Sequence, residues 1–245
     1  MTTVIDGTSG TSIAGASSTQ GAFTVGGQLN LVAGTTAIAP LDFTAGTNLT
    51  TATAGAMEYD GKVIYATPQG TQRGVVPGAQ FFRLNSGLAG ANVNTAQSVF
   101  GVGVTLSAGT VYAFDAVVGL SKSAGTTSHT VGISFGGTAT LNNIAYIESG
   151  SDSSVSFVAR VNASTNQLFV QTASNTTITT SYATANLFLI ARISGTVSIN
   201  AGGTFIPQYT LSAAPGGAYT TAAGSYFLIY PIGASGANTS VGTWA

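Results

Sequence analysis

The sequence predicts an all-β protein: an extended N-terminal arm and a short β stem followed by an antiparallel β-sandwich knob, jelly-roll-like in kind. Three observations carry this. Only 5% of the 245 residues are Asp, Glu, Lys or Arg, against about 25% in an average globular chain, so the charged helix formers are nearly missing. Thirty-three glycines are spread over the whole length and cut it into short runs. Those runs are rich in Thr, Val, Ile, Phe and Tyr, whose branched or aromatic side chains suit a pleated, half-buried surface. With 44% hydrophobic residues, the chain is not of the disordered class and can bury a sizeable core.

Residues 1–33 read as an arm. They hold one acid, Asp6, and no base, and only TVIDGT (3–8) and FTVGGQLNLV (23–32) have strand character. A single chain buries little here, so the arm is expected either to stay a tail or to order on a neighbour, whose contacts must offset the ordering entropy. Residues 34–77 read as a stem. Asp60-Gly61 lies between MEY (57–59) and KVIY (62–65), and Asp-Gly between two β-type runs is a strong hairpin signal. Glu58 and Lys62 are the expected cross-hairpin ion pair.

Residues 78–245 read as the head. In VYAFDAVVGL (111–120), Tyr112, Phe114, Ala116, Val118 and Leu120 share a face by the period of two, and Asp115 faces the other way. After a turn at 123–127, His129, Val131, Ile133 and Phe135 share a face. Further strands are expected at 101–106, 143–148, 154–161, 167–172, 186–193, 196–199, 204–211 and 225–232, with turns every 8–15 residues, as in an antiparallel sandwich. The runs 186–193 and 225–232 are apolar on both faces, which predicts burial on both. One face is expected to meet the core and the other a loop or a second copy; on the second reading Leu187, Leu189, Phe227 and Ile229 are the candidate subunit-interface residues.

The inventory excludes most chemistry. There is no Cys, hence no disulfide or thiolate metal site. Six bases scattered between Lys62 and Arg192 make no phosphate-binding cluster, so no nucleic-acid partner is expected. No apolar run approaches the ~20 residues of a membrane span, and the start lacks the basic and apolar regions of a signal peptide. The formal net charge is −1, which removes the usual electrostatic protection against association. His129 is the sole histidine, and no serine has the Gly-x-Ser-x-Gly setting of a nucleophile; it reads as structural, or in a trimer as an axial cluster that binds an ion or senses pH. Asp115, Glu148 and Asp152 are the only source of a glycosidase-like carboxylate pair. Glu148 and Asp152 are also placed in one acidic loop, a candidate for weak calcium binding against the plainer reading of a solvated turn. No catalytic residue, metal ligand or cofactor is assigned.

The run LDFTAGTNLTT (41–51), with AGAMEYDG (54–61), YATP (65–68) and RGVVP (73–77), resembles a module in tail- and neck-fibre-like virion structural proteins of tailed bacteriophages. VIDGTSG (4–10), FRLNS (82–86) and NVNTAQSVFGVGVTL (92–106) are similar to the same proteins. The resemblance implies a homotrimeric virion appendage, assembled in the host cytoplasm, that attaches through residues 1–33 to a tail, neck or capsid protein. It implies no catalytic motif. The chain departs from long fibres in having neither heptads nor a repeated shaft. Alternatives are a capsid decoration protein and a glycan-binding receptor-recognition module using Tyr182, Tyr219 or Trp244; the ligand-contact residues are left unassigned. A depolymerase would need the carboxylate pair.

Overall fold

The computed structural model describes residues 28–152, 167–171, 175–177, 179 and 181–244. The expected strand at 154–161 and the first 27 residues lie outside them. The chain divides into two compact units, Met1–Phe43 and Thr44–Ala245. In the first, the described part holds no strand or helix and turns back at Thr35, whose Oγ1 accepts from the backbone N–H groups of Ala37 and Ile38. Its apolar side chains, Leu29, Leu31, Val32, Ile38 and Leu41, are exposed.

The second unit is all-β: its described residues form sixteen strands in three antiparallel sheets and no helix. The smallest sheet joins β1 (Met57–Tyr59), β2 (Ile64–Ala66) and β3 (Gly74–Val76) in that order. The Asp60-Gly61 turn forms as expected. Gly61 has φ +85°, and Asp60 Oδ1 accepts from the N–H groups of Lys62 and Val63 at 2.7 and 2.9 Å, an Asx-type turn. The Tyr65 hydroxyl donates to Asp60 Oδ2 at 2.9 Å. Burial opposes ionisation of this carboxyl, but these hydrogen bonds outweigh it and hold its pKa below the usual value.

The expected Glu58–Lys62 pair does not form. Glu58 instead takes Arg73 Nε at 2.8 Å, and Lys62 Nζ donates to the Ala108 carbonyl at 2.7 Å. Glu58 is opposite Tyr65 in the hairpin register, whereas Lys62 lies in the turn, beyond the last paired residue.

The other two sheets form the sandwich. The larger contains β4 (Gln80–Arg83), β5 (Leu88–Ala89), β8 (Thr110–Lys122), β10 (Thr140–Asp152), β11 (Gln167–Gln171), β13 (Leu187–Ala201), β15 (Thr220–Thr221) and β16 (Tyr226–Ala234). Its order is β11-β10-β13-β8; the free side of β8 then pairs β16, which carries β4, and farther along pairs β15, which carries β5. The smaller contains β6 (Gln97–Ser98), β7 (Val104–Leu106), β9 (Val131–Gly136), β12 (Asn175–Thr177) and β14 (Gly203–Leu211), with β14 pairing β9, β6 and β7.

The alternation read in the sequence sets the inner faces. Tyr112, Phe114, Ala116, Val118 and Leu120 of β8 are buried, as are Val131, Ile133 and Phe135 of β9. Phe114 lies 5.4 to 6.4 Å, ring to ring, from Phe135, Phe205, Phe227 and Tyr146, and Phe135 stacks on Phe205 at 4.9 Å. These rings join the two sheets, each pair adding about 0.5–1.5 kcal/mol beyond area burial.

The segments 186–193 and 196–199 are one strand rather than two. Gly195 makes this possible: any Cβ there would overlap the Ala145 carbonyl oxygen of β10, so only glycine lets β13 run through the close approach.

The expected subunit-facing side chains do not face outward. Leu187, Leu189, Phe227 and Ile229 are all buried in the intramolecular core. The opposite residues of the same strands, Phe188 and Ile190 on β13 and Tyr226 and Leu228 on β16, reach the outer face of the larger sheet. Period two alone does not say which of two apolar faces turns inward; pairing with β8 does.

Candidate functional site

The candidate carboxylates Asp115 and Glu148 lie on opposite faces of the larger sheet. Strand register aligns Ile147, Ser194, Asp115, Leu228 and Phe81 in one row across β10, β13, β8, β16 and β4. The adjacent row is Glu148, Ile193, Ala116, Phe227 and Phe82. Successive rows point to opposite faces, so Asp115 is on the outer face and Glu148 in the core. They are no carboxylate pair. Residues 148–152 belong to β10 and are not the expected loop. Among the described residues, no three His, Cys, Asp or Glu side chains gather as a metal site.

Glu148 is 1% exposed. Neither carboxylate oxygen has a hydrogen-bond partner among the described residues, and burial pushes its pKa up to about 8. His129 is also 1% exposed, so it cannot meet its copies on a trimer axis. Its Nδ1 is 2.7 Å from the Thr127 carbonyl and its Nε2 2.7 Å from the Tyr219 hydroxyl. Asp115 accepts from the Tyr226 hydroxyl at 2.9 Å, and this bond, with burial second, raises the Tyr226 pKa.

Two surface features remain as candidates. The first is apolar: a cleft of about 340 Å³ between β4 and β7, walled by Phe81, Phe82, Phe100, Val102, Pro207 and Phe227. It continues onto the outer face of the larger sheet, because Phe81 is 59% exposed and stacks on Tyr226 at 5.5 Å. Farther along that face, Ile147 is 52% exposed and Phe188 and Ile190 are 38% each. The second is polar: a pocket of about 480 Å³ that includes Thr50, Thr51, Thr71, Arg73 and Ser240. Of the aromatics singled out for sugar stacking, Tyr182 and Tyr219 are buried and Trp244 is 82% exposed.

No protein-family model, curated protein or solved structure matches this chain.

Sequence reasoning missed both surfaces. The exposed apolar face is visible in the doubly apolar runs, but with its sides exchanged. The polar pocket joins residues about 170 positions apart in a chain where Thr and Ser are everywhere, so no local signal marked it.

Proposed function

We propose that this chain is a non-catalytic virion structural protein, a subunit of a homotrimeric phage appendage whose copies pack through the outer face of the larger sheet. One observation carries the reading. That face, where a lone sandwich is expected to be wet, presents Phe81, Ile147, Phe188 and Ile190 with half-buried Val117, Tyr226 and Leu228. Its paired rows hold only three charges, Asp115, Arg192 and Arg83, and Asp115 is engaged by Tyr226. Exposed apolar patches of this kind mark interaction surfaces, and a chain of net charge −1 does not repel its copies. The trimer, the phage setting and attachment through residues 1–33 rest on the resemblance of residues 41–77.

Successive strands β8, β9 and β10 change sheet at each step, as do β11 through β14, which supports a jelly-roll-like knob. The absence of catalysis is supported by the separation of Asp115 from Glu148 and by a histidine whose two nitrogens are both hydrogen-bonded. Light scattering tests the reading. A mass near 73 kDa, three times the 24.3 kDa chain, is expected; a stable monomer at micromolar concentration refutes it.

A further inference from the structure

We infer that the polar pocket between the β1–β3 module and the C-terminal segment binds an uncharged saccharide. Its volume, about 480 Å³, lies within the ~300–1,000 Å³ of small-molecule sites. Thr50, Thr51, Thr71 and Ser240 line it, and no side-chain hydroxyl of these four has a hydrogen bond among the described residues. Each hydroxyl both donates and accepts, so together they match a ligand made of hydroxyls.

Arg73 decides the charge of that ligand. Its Nε and Nη2 bind both oxygens of Glu58 at 2.8 and 3.2 Å, and Nη2 also donates to the Leu49 carbonyl at 2.7 Å. The guanidinium is held rigid and its charge is offset by the carboxylate. Nη1 keeps N–H donors that no described residue accepts. The pocket therefore offers directed donors with little net field, which favours a neutral polyol over a phosphate or a uronate.

Trp244 supplies the apolar plate. Its indole Nε1 donates to the Val241 carbonyl at 2.8 Å, which fixes the ring while leaving it exposed. Gly242, at φ +104°, lies between the indole and Arg73: a Cβ there would be 3.7 Å from Trp244 Nε1 and 3.8 Å from the Arg73 carbonyl oxygen. Gly242 itself lines the pocket, so the ring stands at its rim, and the positive φ of this turn favours glycine. A sugar has a C–H face for the ring and a hydroxyl edge for the threonines, and an amphipathic aromatic suits that division. The site shares no residue with the outer sheet face, so it stands or falls apart from the association reading.

Trp244 is the only tryptophan, so fluorescence excited selectively at tryptophan reports on its surroundings. The full chain is titrated with neutral oligosaccharides of glucose, galactose, mannose, rhamnose and N-acetylglucosamine, and separately with inorganic phosphate and oligogalacturonate. A saturable change with at least one neutral oligosaccharide, insensitive to salt, is expected. The affinity should fall at least about tenfold in a Thr50→Val, Thr71→Val double variant. Both positions are exposed, and unchanged circular dichroism verifies the fold. A response to phosphate or oligogalacturonate alone, a response that survives the double variant, or silence with every neutral probe overturns the inference.

Discussion

His129 Nε2 and the Tyr219 hydroxyl are 2.7 Å apart inside the sandwich, with their rings edge to face at 5.6 Å. The geometry assigns the tautomer. A carbonyl only accepts, so Nδ1 carries a proton toward Thr127; in that tautomer Nε2 accepts from the Tyr219 hydroxyl. Burial, with nearby Tyr209 second, pushes the Tyr219 pKa up, which keeps that hydroxyl a donor.

Tyr219→Phe leaves the ring volume in place and removes the donor. It is expected to destabilise the fold by about 1–3 kcal/mol, the cost of an unsatisfied buried acceptor. Urea unfolding measures it; an unchanged midpoint would show that the bond contributes nothing.

Glu148 makes the head less stable toward alkaline pH. Its folded pKa, about 8, is above the ordinary 4.5, so between these values the native state binds more protons than the unfolded one. The Glu148 contribution to stability therefore falls as pH rises from about 4.5 to about 8 and is level outside that window. The loss should be on the order of a few kcal/mol. Glu148→Gln should abolish this slope; urea midpoints at pH 5 and pH 8, for both proteins, decide it.

Arg73 ties β1, the Leu49 loop and the segment entering β3 together through one guanidinium. Arg73→Lys keeps the charge but loses the planar fork. It is expected to cost about 1.5–3 kcal/mol, felt as faster amide exchange in β1 to β3 while β8 and β13 stay protected. Equal loss of protection in all five strands would contradict this assignment.

The two faces of the long strands should respond in opposite ways. Phe227→Ala empties a core position and is expected to cost about 3–5 kcal/mol. Ile190→Lys acts on an exposed side chain; stability of the single chain should change by about 0.5 kcal/mol or less, while the scattering mass falls to that of a monomer. An Ile190→Lys protein that keeps the trimer mass would remove this face from the interface.

Much of the head was legible because its strands alternate. In β8 one side is uniformly apolar and the other holds Asp115, so the inward face follows from hydrophobicity alone. The Asp60-Gly61 turn was legible for a similar reason: glycine at positive φ and an aspartate that caps the next N–H groups are local requirements. The Arg73–Glu58 pair was not legible, because it joins residues 15 apart across a module whose register only the three-stranded sheet defines. The two candidate surfaces were less legible still, since each is assembled from segments far apart in the chain.

The sequence by itself determined an all-β chain, poor in charge and without cysteine, with turns at its glycines and strands at its β-branched and aromatic runs. These are consequences of local conformational preference and of which side chains water rejects. Only the tertiary structure decided that Leu187 and Phe227 turn inward while Phe188 and Leu228 turn outward, because both faces are apolar and the pairing with β8 selects between them. It also decided that Glu148 is buried and Asp115 is not, and that Thr50, Arg73 and Ser240 share one pocket. Such relations depend on strand register and chain crossing, which no local pattern encodes.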